Sequence, residues 1–506
     1  MAFNVLFIYP TPFRITGLPV GIASLAAVLK EDGIGVKIFD TAFYPSADRS
    51  QTVIKSERMM TKAVSDEDRY LPENTTRMED DLAAILRSYR PDLVAISTLE
   101  IMYRSTQQIC RLIKQQQPAL PIVAGGVFPT LSPDMVIAEE SIDIVCHGEG
   151  ESALRELCRR LSAGEPHTGI TGLWIKAGGR LYRNPPSPLH DINQLPFPDF
   201  SEFDPRMFYK PMQGRMYKMM NIETSRGCYN NCTYCAAPQL RKFFRENGCG
   251  RYDRIMNVDR IIEQIHHQAG KYHPEFIYFS SENFLSLSDE DFARFIDAYE
   301  EVHLPFWIQT RIETLTRERI AALKEVGMLW LTIGLEHGNE EFRRKVLKRH
   351  YSNGKFIEKM DILRDAGIGA SLNNMIGFPG ETRDLIFDTV RMNRLLYQRN
   401  NRLESNVFLF TPYRGCELYD VCREDNLLSD VPIPSENSLS ERSVLGFPKK
   451  VQDDLTGIIR TFNLYVRLPE EYDEQIRVAE KPGKEGDLML QKLTKLLAPG
   501  TPGSGC

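Results

Sequence analysis

Over the first third of the chain two apolar patterns alternate. Runs such as "NVLFIYP" at 4–10 are apolar without a break and end at a proline, as a strand covered on both faces of a parallel sheet would be. Between such runs, "VGIASLAAVLKEDG" spaces its apolar residues at helical intervals and stops at Gly33. Further strands are expected at "VKIFD", "PDLVAIST", "PIVAGG" and "DIVCHG", and helices at "MEDDLAAILRSYR", "STQQICRLIKQQQ", the short "PDMVIAEE" and "ESALRELCRRLSAG". The alternation predicts a doubly wound α/β domain over residues 1–165. Such sheets bind ligands at the carboxyl ends of their strands, here the loops "TPFRITGLP", "STLEIM", "GGVFPT" and "GEGES". Gly125, Gly126, Gly148 and Gly150 let a ligand approach bare backbone; singly each reads equally well as a turn glycine, and four strand ends together favour a site.

The proline-rich stretch "PPSPLHDINQLPFPDFSEF" at 185–203 suggests a linker over 166–205. A second strand-helix series then begins with "KMMNIETS" and continues through "EFIYFSSENF", "FWIQTRIE", "LWLTIGLEHG", "ASLNNMIGFPGET" and "SNVFLFTPY", with helical patterns such as "VDRIIEQIHHQ" and "RERIAALKEVG" between them. Six strands predict a partial (β/α)6 barrel over 206–415, with its site at the C-terminal strand ends. A helical extension is expected over 416–490 and a disordered tail over 491–506.

Composition narrows the class. The 506 residues, 42% hydrophobic and 26% charged, suit a soluble globular protein with two or three cores. The apolar run near the N-terminus is too short for a signal sequence, and no run spans a membrane, so a cytoplasmic enzyme is expected. A net charge of −6 argues against a nucleic-acid partner, and the longest basic stretch, "RRKVLKRH" at 343–350, reads as one solvated helix face. In a reducing compartment clustered cysteines more often bind metal than pair. "SRGCYNNCTYCAAP" at 225–238 places Cys228, Cys232 and Cys235 within eight positions. A closed zinc site needs four ligands, and no suitable fourth follows: Cys249 lies fourteen residues on. Three thiolates on an iron-sulfur cluster leave one iron open. Cys110, Cys146 and Cys158 fall on core positions, and Cys506 lies in the tail.

These residues carry two resemblances. "LPVGIASLAAVLKEDGIGVKIFD", "IVAGGVFPTLSP" and "IVCHGEGESALREL" resemble the cobalamin-binding domain that precedes many radical S-adenosylmethionine (SAM) domains. That resemblance implies corrin and nucleotide-tail contacts at Leu18, Pro19, Ser97, Thr98, Gly125, Gly126, Gly148 and Glu149. The Asp-x-His-x-x-Gly pattern that supplies a histidine to cobalt in mutases is missing, since the loop after the first strand reads "PTPFRIT"; His147 is read as structural. The spacing of Cys228, Cys232 and Cys235 resembles the radical SAM signature, which implies a 4Fe-4S cluster whose open iron chelates SAM. The same resemblance places the SAM amino group near Ser280, Ser281 and Glu282, the ribose near Glu336, and the adenine near Tyr234 and "MIGFPGET", including Ile376 and Gly377.

The two together resemble the cobalamin-dependent radical SAM enzymes. They imply methyl transfer to an unactivated carbon, or to phosphorus, of a metabolite or peptide, with cyclisation or ring rearrangement as the alternative. A methylthiotransferase would carry three more cysteines and a C-terminal RNA-binding barrel, and a degenerate cobalamin sensor would not keep the cysteines and "GFPGET" intact. The expected partners are the substrate and an external one-electron reductant of flavodoxin or ferredoxin type, with no nucleic acid and no membrane. No pattern names the catalytic acid or base.

Overall fold

The computed structural model describes residues 3–11, 17–45, 51–64, 71–428, 433–434 and 437–497. Strands β1 (Asn4–Tyr9), β2 (Gly35–Asp40), β3 (Leu93–Ser97), β4 (Ile122–Gly125) and β5 (Ile144–Cys146) pair in parallel in the order β2-β1-β3-β4-β5. Successive residues of β1 serve opposite faces. Val5 and Phe7 pack with Ile22 and Ala26 of helix Val20–Glu31 and Leu154 and Leu157 of helix Glu151–Ala163. Leu6 and Ile8 pack with Leu82 and Leu86 of helix Met78–Tyr89 and Ile109 and Ile113 of helix Tyr103–Gln116. Both faces are dry, so these strands read as unbroken apolar runs. The order reverses between β1 and β3, where a doubly wound sheet leaves a crevice.

Two features of the connector depart from the expectation. Residues 166–205 are not free chain: β6 (Leu173–Ala177) and β7 (Arg180–Arg183) add to the sheet antiparallel beyond β5. Leu173 and Ile175 bury there while β7 lies half open to water, the short alternation of an edge hairpin. The proline-rich remainder packs across the junction, with Phe200 against Phe203, Phe208 and Tyr272, and Asp199 3.2 Å from Lys30 of the first domain.

The second sheet holds β8 (Tyr209–Met212), β9 (Arg215–Glu223), β12 (Phe276–Ser280), β13 (Phe306–Thr310), β14 (Met328–Glu336), β15 (Gly369–Ile376) and β16 (Leu403–Leu409) in that order. A two-residue pair, β10 (Ser225–Arg226) with β11 (Arg254–Ile255), stands apart beside it. From β9 to β16 the pairing is parallel, giving the expected six-stranded half-barrel, and β8 adds one antiparallel edge strand. Helix Lys449–Arg467 covers β16 and helix Arg383–Arg399, sealing that edge with Leu455, Ile459 and Phe462. Helix Lys484–Leu496 runs through the start of the expected tail because Leu493 is buried against this cluster; residues 498–506, with Cys506, lie outside the described residues.

The basic stretch 343–350 is also corrected. Arg343 and Arg349 are fully buried, and only their neighbours face water, since the short helix Glu340–Lys345 turns Arg343 inward onto the carbonyls of His337 and Tyr351. Among the described residues no helix is long and apolar enough to cross a membrane.

Candidate functional site between the two sheets

The strand ends of the first sheet face the strand ends of the second across a cavity of about 310 Å³. Its inner part is apolar, with Phe7, Leu25, Val123, Leu154 and Leu173, and its rim is backbone at Ser97, Gly125, Gly126, Gly148 and Glu149. Gly126 has φ 114°, and a Cβ there would lie 2.8 Å from the Thr98 carbonyl, so only glycine lets this loop close. Gly21 of helix Val20–Glu31 also lines the cavity, and a Cβ there would meet nothing within 4 Å: it would project into the open space. A glycine inside a helix costs about 1 kcal/mol relative to alanine, so this one marks room kept for a ligand. Sequence reading missed it, although a glycine one residue inside a helix that faces the strand ends is the available signal.

Of the residues expected to hold cobalamin, Ser97, Gly125, Gly126, Gly148 and Glu149 line this cavity. Leu18, Pro19 and Thr98 do not. Leu18 is core and accepts from Asn221 Nδ2 at 3.2 Å through its carbonyl; Pro19 caps the helix start; Thr98 is buried with its hydroxyl on Thr106 at 2.7 Å. His147 is turned away as well. Its Nε2 lies 2.9 Å from the Asn184 carbonyl, and Trp174 and Phe243 cover its ring. Burial holds its pKa below the ordinary histidine value. The loop 12–16, where a mutase-type histidine would fall, lies outside the described residues.

On the opposite wall β9 ends at Glu223 and the chain turns into the cysteine loop. Gly227 has φ 86°, and a Cβ there would strike the Tyr252 ring at 2.8 Å. Each cysteine thiol accepts one N–H: Cys228 from Asn230 Nδ2 at 3.2 Å, Cys232 from Arg311 Nη1 at 3.3 Å, and Cys235 from the Ala237 amide at 3.5 Å. Such donors stabilise thiolates, the form that binds iron. Burial, with the neighbouring Cys232 and Cys228, pushes the Cys235 thiol up to about 11, so iron must displace its proton. Among the described residues no three His, Cys, Asp or Glu side chains converge to hold a metal ion. Cys416, distant in sequence, comes close enough for Cys235 to raise its pKa further, after burial, to about 12.

Above the cysteines the strand ends of the half-barrel bring most of the expected SAM residues together. Ser281 is held by Ser225 Oγ at 2.8 Å, while Ser280 stays half-buried on the inner face. Glu282 borders the shared cavity and stays partly open to water, yet burial of its carboxyl pushes its pKa up to about 7. Next to it Asn283 accepts from Thr310 Oγ1 at 2.8 Å, but its buried Nδ2 has no partner; it lines a second cavity of about 490 Å³ that reaches Cys228. Glu336 sits in the left-handed region at φ 64° and pairs with Arg349 Nη1 at 2.6 Å, and Arg349 also donates to Tyr234 at 3.2 Å. A Cβ at Gly334 would fall 1.9 Å from Glu336 Oε1, so that glycine makes room for the pair. Arg349 keeps Nε and Nη2 buried without partners. Three unpaired buried donor nitrogens, one on Asn283 and two on Arg349, fit a ligand that brings a carboxylate. Gly377 offers backbone at φ 85°, but the Ile376 side chain points into the core with Val407 and Leu409.

An ion network closes the junction. Arg226 reaches Glu151 at 2.7 Å, Glu223 at 3.1 Å and Glu149 at 3.3 Å, and Arg254 also pairs with Glu149. Glu149 and Glu151 belong to the first domain and the others to the second. Sequence reading passed over Arg226 and Arg254 because only the fold brings them to the carboxylates.

Comparison with known proteins agrees with this architecture. The B12 binding domain family matches residues 13–158 and the Radical SAM superfamily residues 222–392. An uncharacterized methyltransferase of Pyrococcus horikoshii is 26% identical over 82% of this chain and 80% of its own length. The cytidylyl-2-hydroxyethylphosphonate methyltransferase of Streptomyces wedmorensis is 21% identical over 71% of this chain and 69% of its own. The fold is shared with OxsB, a cobalamin-dependent S-adenosylmethionine radical enzyme solved with aqua-cobalamin and S-adenosylmethionine, at TM-score 0.63 and 15% identity over 98% of this chain and 71% of that one. With a B12-binding domain set directly against a radical SAM half-barrel, the chain belongs to the cobalamin-dependent radical SAM enzymes.

Proposed function

We propose that the protein is a methyltransferase that uses cobalamin, SAM and a 4Fe-4S cluster to methylate an unactivated carbon or phosphorus centre. One observation carries the reading: a single cavity is walled on one side by Ser97, Gly125 and Gly148 and on the other by Glu223, Gly227 and Glu282. Both cofactor sites therefore open onto the same space, which methyl transfer between them requires. The methyltransferase names of two relatives support it.

When bound, the cluster and SAM supply a 5′-deoxyadenosyl radical and methylcobalamin supplies the methyl group. The chain's own residues have positioning roles. Cys228, Cys232 and Cys235 hold three irons, and their N–H donors fix the thiolates. Glu282 receives the SAM ammonium, and the free donors of Asn283 and Arg349 take its carboxylate. Glu336, oriented by Arg349, serves the ribose, with Tyr234 and the Gly377 backbone beside the adenine. Gly21, Gly125, Gly126 and Gly148 admit the cobalamin tail, which suits the nucleotide-sized cavity better than the corrin does. His147 gives cobalt no ligand, because its ring is already engaged.

Anaerobically reconstituted enzyme, a one-electron reductant, SAM and candidate substrates test the reading. A methyltransferase forms S-adenosylhomocysteine and 5′-deoxyadenosine together as substrate gains a methyl group. Substrate consumption with 5′-deoxyadenosine and no S-adenosylhomocysteine would replace methylation by rearrangement or cyclisation.

A further inference from the structure

The inner face of the half-barrel is not filled. Along β12, β13, β15 and β16 the residues that pack outward against helices are buried, while the alternating inward ones, among them Tyr278, Trp307, Gln309, Asn373 and Asn406, keep partial exposure. Below them Met212, Met219, Phe276 and Trp330 form an apolar floor. Above them stand Glu223, Ser280 and Glu336 at the cofactor level. One strand residue advances about 3.3 Å, so Tyr278, two residues before Ser280 on β12, lies roughly 7 Å below that level.

Into this middle layer β8 sends Lys210. Its Nζ lies 3.0 Å from Asn221 Oδ1 and 4.4 Å from the centroid of the Tyr278 ring. The Tyr278 ring in turn meets Trp307 at 4.9 Å. No carboxylate among the described residues pairs with this lysine. Burial alone acts on it and pulls its pKa down to about 8. An ammonium kept inside a barrel without a counter-ion is unfavourable unless a ligand supplies one. Nearby polar atoms are also open: neither the Tyr278 hydroxyl nor the Gln309 amide has a hydrogen-bond partner among the described residues.

We propose that this layer is the substrate's recognition site and that Lys210 binds an oxyanion of the substrate, a carboxylate or a phosphate-type group, with the Tyr278 and Trp307 rings against its unsaturated or apolar body. The proposal rests on the half-barrel being the catalytic domain, and it adds the substrate class. The reacting centre then lies between the oxyanion and the cofactor level, so the anion anchors the end of the substrate remote from the methyl group.

Calorimetric titration of the reconstituted holoenzyme with benzoate, phenylphosphonate and benzyl alcohol tests it. Expected is saturable binding of at least one anion, with benzyl alcohol roughly tenfold weaker or worse, as suits a charge-assisted contact. Lys210→Met weakens the anion by about tenfold or more, while Lys210→Arg, which keeps the charge, restores most of the affinity. Iron content and corrin absorbance of each variant confirm that it folds with its cofactors. The tighter of the two anions names the oxyanion. The proposal is overturned if neither anion binds wild type, if benzyl alcohol binds as well as they do, if the methionine variant binds like wild type, or if arginine loses as much as methionine. SAM cleavage by the wild type is assayed separately, so failure of the cofactor reading is distinguishable from failure of this one.

Discussion

The two sheets are built alike and used differently. In the first, β1 and β3 bury nearly every residue, because helices cover both faces. In the second, β13 alternates buried and half-buried, because helices cover one face and the other lines an open lumen. A sheet dry on both sides can offer a ligand only its strand ends and loops. A half-barrel offers those and its inner wall as well. The first domain therefore suits one task, gripping a cofactor by its edge, and the second can hold a cofactor at the top and a substrate beneath it.

The largest effect that would break this division is expected at the cysteines. Changing Cys228, Cys232 and Cys235 together to alanine should remove the cluster and all reductive cleavage of SAM, while corrin absorbance persists after incubation with hydroxocobalamin. Loss of both cofactors at once would mean that the first sheet is not an independent site. Retained cleavage would remove the cluster assignment.

Next in size are two glycines that separate fit from fold. Gly21→Leu should fill the cavity without backbone strain, abolishing corrin binding with little change in stability. Gly126→Leu adds a left-handed residue and a backbone collision, so it should lose corrin and also about 1–3 kcal/mol of stability in urea unfolding. Equal destabilisation by both would show that Gly21 serves packing rather than ligand space.

The smallest effect concerns Glu282. In the fold burial lets its carboxyl keep a proton up to about 7, against 4.5 for an ordinary glutamate. Between those values the folded state binds more protons than the unfolded one, so stability falls as pH climbs from about 4.5 to 7 and is flat above. The carboxylate touches water in the cavity, which makes the slope smaller than full linkage at about 1.4 kcal/mol per pH unit. Urea midpoints of wild type and Glu282→Gln, compared from pH 5 to 8, should diverge across that window; parallel curves would mean that Glu282 is solvated like a surface carboxylate.

Much of this was legible in the sequence, and the gaps have physical causes. Unbroken runs such as "NVLFIYP" and the cysteine spacing depend on local order, so strands, half-barrel and cluster loop could be read directly. The β6–β7 hairpin hid because its strands are short and β7 is mostly polar. Arg349 hid in a basic run because the partner that buries it, Glu336, is thirteen residues away and becomes a neighbour only when β14 ends in a left-handed turn. Lys210 gave no signal at all: its meaning lies in the absence of a carboxylate across a sheet. Ile376 shows a different limit, since the pattern of a segment does not say which of its side chains turns into the core.

The network around Arg226 and Arg254 also bears on the order in which the enzyme is assembled. Leu240, Phe244 and Tyr252 of the second domain roof the cavity that opens from the first, and the ion pairs hold that roof down. A chain that folds with cobalamin present can lower the roof over it. One that folds without cobalamin must first part charges that lie largely out of water, so loading after folding is expected to be slow.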